Sequence, residues 1–328
     1  MTANDSQLRL TRFARFAWLV LAYNLLVIVW GAYVRASVSG NGCGSHWPLC
    51  NGAVLPVGAQ LKTLIEFAHR LSSGLSVVAI ITLAVWAWRA FPRGHRVRRA
   101  TLLSVFLIFT EALIGAGLVL FDLVARNDST TRALVMCLHL TNTFALLAAL
   151  ALAAWWATGG APVRLRGQGS VLPLFLLATV GVLLLAVSGA VTALGDTLFP
   201  ARTLTEGLRQ DLSPAAHFLL RLRLIHPALA VTVGAYAVVA ASYVSNFLRP
   251  GARLRRLTAV LVALFLLQVC TGLLNITLLA PIWLQLTHLL LADLLWLALV
   301  LTSAAALAHT TEHARALEAV DLRPAEEI

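Results

Sequence analysis

The sequence predicts an all-α integral membrane protein: eight transmembrane helices arranged as two pseudo-symmetric four-helix bundles, with both termini cytoplasmic. Three observations predict it. Of 328 residues, 59% are hydrophobic and only 12% are charged, too little polar material to cover a water-soluble domain of that length. Eight apolar stretches reach the ~20 residues that a helix needs to cross the hydrocarbon core. The arginines gather in alternate connections, the pattern of cytoplasmic loops in membrane proteins.

The spans fall near 15–36, 62–88, 99–121, 132–157, 170–194, 217–247, 255–279 and 282–308. The first follows Arg9, Arg12 and Arg15; it is too long for the apolar core of a signal peptide and reads as a retained span. The connection after it, Val38 to Leu61, carries SGNGCGSHWPLCNGAVLP, whose turn formers predict a compact structure over the outer face. Arg89, Arg93, Arg96, Arg98 and Arg99 fill the connection after the second span, Arg164 and Arg166 follow the fourth, and Arg249, Arg253, Arg255 and Arg256 follow the sixth. The remaining connections are charge-balanced or, at Ala280-Pro281, nearly uncharged. The net charge of +11 is therefore a topology signal and argues against nucleic acid as a partner. Between Gly195 and Ala215, the charged piece Arg202 to Asp211 predicts a short surface helix. Residues 1–157 form an N-terminal half, 158–169 a cytoplasmic linker, 170–308 a C-terminal half and 309–328 a cytoplasmic tail.

The halves repeat. Gly31-Ala32 closes the first span and Gly189-Ala190 the fifth; a long outer connection follows each, and then His69 and His226 come early in the next span. Glu111-x-x-x-Gly115 in span three matches Gln268-x-x-x-Gly272 in span seven, and His139 and His288 then enter spans four and eight. Both halves begin on the same side, which makes the repeat parallel, about an axis along the membrane normal. The four histidines lie roughly six to nine residues past the outer ends of their spans, at about 9–14 Å of helix rise. They thus form two pairs at one depth, His69 with His139 and His226 with His288.

Histidine pairs on facing helices of a four-helix bundle are how such bundles hold haem iron, one imidazole on each axial side. A single transmembrane histidine is as readily explained by a hydrogen bond to a neighbouring helix, but four at matched depth in matched repeat positions are not. Zinc is the weaker reading, because no His-x-x-x-His or cysteine cluster supplies three or four ligands. Arg35, Arg70, Arg221 and Arg223 lie near the outer ends of spans, where they suit haem propionates or, alternatively, lipid phosphates. Glu66, one helical turn from His69, is either a proton-handling carboxylate or the partner of an arginine such as Arg70 or Arg35. Glu111 and Asp293 are open to three roles: proton path, support of a histidine, or hydrogen bonding between helices. Cys43 and Cys50 share the outer connection, where they form a disulfide, exchange thiols or remain free. Cys137 and Cys270 lie in spans and read as packing residues.

The run GAYVRASVSGNGCGSHWPLCNGAVLP, then IEFAHR, with histidines opening spans four, six and eight, resembles the haem A synthase family from about Trp18 to Leu307. The first 70 residues or so carry the specific motifs; the later histidines match by position. The resemblance implies a membrane enzyme that oxidises the C8 methyl of haem O to the formyl of haem A by successive hydroxylations. It implies that His69 and His139 ligate the substrate haem, that His226 and His288 hold a haem b relaying electrons, that Glu66 is catalytic, and that Cys43 and Cys50 are the outer-loop pair. It also implies a bacterial cytoplasmic membrane with the haem sites toward the outer side, an unidentified electron donor, surrounding lipid, and haem O synthase as a possible physical partner. The rivals are a dihaem cytochrome b-type electron carrier, which needs neither Glu66 nor the cysteine loop, and a transporter using the histidines as a relay. Only the first half carries an acid beside its histidine, since aligning His226 with His69 places Arg223 opposite Glu66.

Overall fold

A computed structural model describes residues 3–308 of the chain. Among these residues nine α-helices run in order: α1 (Ala3–Ala36), α2 (Leu61–Ala90), α3 (Arg96–Leu120), α4 (Thr130–Ala157), α5 (Val171–Leu198), α6 (Leu204–Leu212), α7 (Phe218–Tyr243), α8 (Ala252–Thr277) and α9 (Ile282–Ala306). All but α6 are long and apolar enough to cross a membrane, which makes this a multi-pass membrane protein. Apart from a bridge between Cys50 and Ala53, the described residues are helices joined by turns and irregular segments. Helix α1 starts well before the expected residue 15, and α7 continues into one π-helical turn, Val244–Leu248. The short surface helix appears as α6, with no buried residue. The tail 309–328, with His309 and His313, lies outside the described residues.

Local chemistry explains several helix starts. Ser129 caps α4 by accepting the Arg132 N–H, and Thr203 caps α6 by accepting the Glu206 N–H. Two histidines outside the paired set serve the same purpose. His95 and His217 accept the N–H of Val97 and Leu219 at the starts of α3 and α7. Burial, then the neighbouring Arg96, pushes the His95 pKa down, which suits a ring that must stay neutral to accept a hydrogen bond.

Packing follows two rings of four. α1 packs on α2 and α4, and α3 on α2 and α4; α7 packs on α5 and α8, and α9 on α8 and α5. The groups meet where α4 lies against α5 and α9, and where α1 lies against α9. Ala149, Ala151, Ala153 and Ala154 are buried on α4, and small residues of this kind let helix backbones approach closely in a bilayer. At the seam Phe144 stacks on Trp296 at 5.2 Å, and the Trp296 indole N–H donates to the Phe144 carbonyl at 2.8 Å. By contrast α2, α3, α5 and α8 carry many exposed leucines and phenylalanines, such as Leu71, Leu75, Phe106, Leu176 and Leu266. Lipid covers such faces at no cost, so in this chain they are not docking surfaces.

At the ends opposite the paired histidines, the connection after α4 is fastened to the end of α9. Arg164 N–H donates to the Leu307 carbonyl, and Arg249 donates to the Ala306 carbonyl. Arg253 lies over the Trp155 ring at 3.8 Å, a cation–π contact that holds α8 to α4. Replacing Trp296 by Phe keeps the stack but deletes the hydrogen bond across the seam. The expected loss is about 1 kcal/mol, read as a lower thermal unfolding midpoint in detergent; an unchanged midpoint means that the bond contributes nothing.

Candidate functional site

Each of the four paired histidines occupies the second or third turn of its helix: His69 on α2, His139 on α4, His226 on α7 and His288 on α9. All four rings are half-buried. His69 and His139 lie on helices of one ring of four, and His226 and His288 on helices of the other, so each expected pair shares a helix group.

Each imidazole also faces a glycine on an adjacent helix. A Cβ added at Gly31 would lie 2.8 Å from His69 Cε1, and one at Gly189 would lie 3.0 Å from His226 Cε1. At Gly115 and Gly272 the corresponding distances to His139 and His288 Cε1 are 3.8 and 3.3 Å. At Gly31 a side chain would force the His69 ring to shift, and at Gly189 the His226 ring would have to give by a few tenths of an ångström, so these two glycines favour the rings where they lie. The sequence marks these glycines as repeat landmarks but does not reveal the contact.

Electrostatics differ between the halves. In the first, Glu66 is buried at 3% exposure. Its Oε2 accepts the Cys43 N–H at 2.9 Å, and its Oε1 accepts from Arg70 Nε at 3.1 Å and Nη2 at 2.5 Å. Arg70 Nη1 donates in turn to the His46 and Leu49 carbonyls, both at 2.6 Å. Cys43 and Cys50 form a disulfide, and both are buried. The loop sits on α2 closely enough that a Cβ at Gly42 would come within 2.5 Å of the Lys62 carbonyl. Thr63 Oγ1 donates to the Gly42 carbonyl at 2.7 Å. Of the two arginine partners open for Glu66, Arg70 is the one found.

The second half inverts this charge arrangement. Arg223, opposite Glu66 in the repeat, pairs with Asp196 at 2.9 Å and with Asp211 from α6. Arg70 has no counterpart: the residue after His226 is Pro227, inside α7. Proline frees a carbonyl one turn earlier and bends the helix there. Arg221 is exposed and donates to the Pro214 carbonyl at 2.6 Å. Arg35 crosses between the helix groups, donating to the Ala193 carbonyl and Thr197 Oγ1, each at 2.6 Å, and to Gln285 Oε1 at 3.1 Å.

Glu111 joins α3 to α4 by accepting from Asn142 at 2.5 Å and from the Thr143 hydroxyl. Its Oε1 also lies 3.4 Å from His139 Nδ1, close enough for charge interaction but not aligned as a hydrogen bond, so that nitrogen has no hydrogen-bond partner. Asp293 differs from expectation. It is fully buried, and neither carboxyl oxygen has a hydrogen-bond partner, so it is not an interhelical hydrogen-bond group. Five residues past His288 places it about 140° around α9, which also removes it from that ring's support. Sequence reading missed two hydroxyls altogether: Ser188 lies 2.8 Å from His226 Nδ1, and Thr271 lies 3.0 Å from His288 Nδ1. Each directly precedes a repeat glycine, the one signal that would have drawn attention to it.

Fold and site together define a multi-pass helical membrane protein with four glycine-backed imidazoles and a disulfide-closed loop packed on the helix that carries His69. The chain belongs to the cytochrome oxidase assembly protein family, whose model matches residues 14–61 and 57–300, and the resemblance to haem A synthases is borne out. It is 52% identical over 297 residues to a protoheme IX farnesyltransferase of Thermus thermophilus, a match covering 90% of this chain and 49% of that protein. It is 41% identical over 115 residues to the heme A synthase of Shouchella clausii, covering 35% of this chain and 36% of the relative. Against the heme A synthase of Alkalihalophilus pseudofirmus it is 42% identical over 97 residues, 30% of this chain and 33% of the relative. The chain thus spans about half the length of the Thermus relative, and its matches to these heme A synthases cover about a third of each.

The disulfide sets the thiol count. Denatured without reductant, the protein should expose two reactive thiols, Cys137 and Cys270, and with reductant it should expose all four cysteines. Four thiols before reduction would contradict the paired state.

Proposed function

We propose that the protein makes haem A, oxidising the C8 methyl of haem O to a formyl group by successive hydroxylations. The observation that carries this reading is the asymmetric repeat: two matched imidazole pairs, of which only His69 and His139 have a buried carboxylate, Glu66, within one helical turn. In this reading residues 1–157 and 170–308 are two pseudo-symmetric bundles joined by the linker 158–169, with both termini and the tail cytoplasmic. The protein lies in the cell membrane with its haem sites toward the outer side.

The residues fit haem. Four half-buried imidazoles, two in each half, would hold the iron of two haems, and a glycine backs each ring. Among the described residues no three His, Cys, Asp or Glu side chains converge as a metal cluster. A porphyrin does not need one, because the macrocycle supplies the equatorial ligands. His226 and His288 would hold haem b, which supplies one-electron transfer when bound. His69 and His139 would hold haem O, the substrate.

The chain's own groups do the rest. Glu66 accepts protons released as the methyl carbon is oxidised. Arg70 and the Cys43 amide orient that carboxylate, and the disulfide-closed loop they fasten covers the outer end of the site and limits water entry. Arg35, Arg70, Arg221 and Arg223 all have protein partners at the outer ends of their helices. Arg221, bonded through one nitrogen to a backbone carbonyl, keeps the most donors for a propionate. The match to half of a Thermus protein named for protohaem farnesylation supports haem O as substrate and its synthase as physical partner; the electron donor carries no mark in the chain.

Pigment extraction tests the reading. Cells that make haem O should contain haem A only when they also make this protein. Glu66→Gln should leave both haem sites filled while lowering haem A yield at least tenfold, in line with general-base losses of roughly 10²–10⁴. Absence of haem A with the intact protein would favour the dihaem electron carrier.

A further inference from the structure

The halves also differ in how their imidazoles are held. Ser188 Oγ lies 2.8 Å from His226 Nδ1 and donates its own hydrogen to the Leu185 carbonyl at 2.7 Å. Thr271 Oγ1 lies 3.0 Å from His288 Nδ1 and donates to the carbonyls of Leu267 and Gln268 at 3.0 and 3.1 Å. A hydroxyl whose hydrogen is committed to a helix carbonyl faces its other neighbour with a lone pair, so the imidazole nitrogen there carries the proton. That selects the Nδ1–H tautomer and leaves the Nε2 lone pair for a metal. At His288 a second contact agrees: the Gln268 amide nitrogen lies 3.2 Å from Nε2 and can donate to it.

No hydroxyl holds the first pair, and the one acid near a ring nitrogen, Glu111 Oε1 at 3.4 Å from His139 Nδ1, is not aligned as a hydrogen bond. His69 Nδ1 and His139 Nδ1 are buried without a hydrogen-bond partner. Aligning Gly31 with Gly189 and Gly115 with Gly272 places Trp30 where Ser188 stands and Ile114 where Thr271 stands. Neither can accept a proton: the Trp30 indole only donates, and it does so to the Ile65 carbonyl at 3.1 Å, while isoleucine has no polar side-chain atom.

We infer that Ser188 and Thr271 are positioning residues that fix His226 and His288 for a haem retained permanently, and that Trp30 and Ile114 leave His69 and His139 without that hydroxyl hold at a site where one haem leaves and the next arrives. A support acceptor on Nδ1–H fixes ring orientation and raises the basicity of Nε2. Retention needs that, and exchange is served by its absence. The inference rests on the proposed assignment of haem b to the second half.

The test uses purified protein carrying its haem, with two readouts besides activity: the midpoint potential of haem b and the rate of haem transfer to excess apomyoglobin. Ser188→Ala and Thr271→Val should each bind haem yet release it about tenfold faster. Their potentials should rise, because a less basic imidazole stabilises ferric iron less. Thr271→Ser, which retains the hydroxyl, should keep both wild-type values. Unchanged potential and release in haem-loaded Ser188→Ala and Thr271→Val overturn the inference and leave the haem assignment standing. Thr271→Ser behaving like Thr271→Val also overturns it, since the hydroxyl would then not be the cause. If His226→Ala and His288→Ala both retain the haem b spectrum, the assignment itself fails and takes the inference with it.

Discussion

Each of the four imidazoles lies against a glycine of a neighbouring transmembrane helix, where no side chain stands between ring and backbone. A methyl group would clash with the His69 ring at Gly31 and crowd His226 at Gly189 and His288 at Gly272, while at Gly115 it would meet His139 at ordinary contact distance. These contacts lie between α1 and α2, α5 and α7, α3 and α4, and α8 and α9, four of the packed pairs in the two rings. Polar side chains in a bilayer are costly unless they face the bundle interior.

On this shared frame the halves diverge at three levels. At the outer end, the first half puts its acid on the span, where Glu66 is met by Arg70 and a loop amide, whereas the second puts an arginine there and brings Asp211 from α6 to meet it. At the rings, hydroxyls hold Nδ1 in the second half and are missing in the first. Beside the second ring of each pair, Glu111 stands where the other half has Gln268. Both halves are charged at the outer end, but beside the rings the first half has the acid Glu111 where the second has hydroxyls and the neutral Gln268. Arg35 spans the groups by bonding α1 to α5 and α9, which ties the outer ends together at that level.

Much of this was legible in the sequence because the bilayer enforces long apolar spans and the repeat exposes matched positions. The eight spans, the histidine pairs and the surface helix α6 emerged from those patterns, and the family resemblance supplied the roles. What stayed hidden depends on side-chain direction rather than on residue type. Period and spacing do not show that Ser188 turns toward His226, that Arg223 bridges two aspartates, or that Asp293 faces away from His288 with no partner. Glu66 had two readings, and the structure adds a constraint rather than a choice: the carboxylate is paired with Arg70 and also stands beside the histidine that the proposal gives to substrate.

The central claim is that each half holds its own haem between its own two imidazoles. Haem analysis combined with electron paramagnetic resonance on single-histidine variants, purified from cells that make haem O, addresses it most directly. The account predicts that His226→Ala loses haem b while keeping the low-spin signal of a farnesylated haem, and that His69→Ala does the reverse. Loss of both haems from either variant, or of neither from both, would contradict two independent bis-histidine sites.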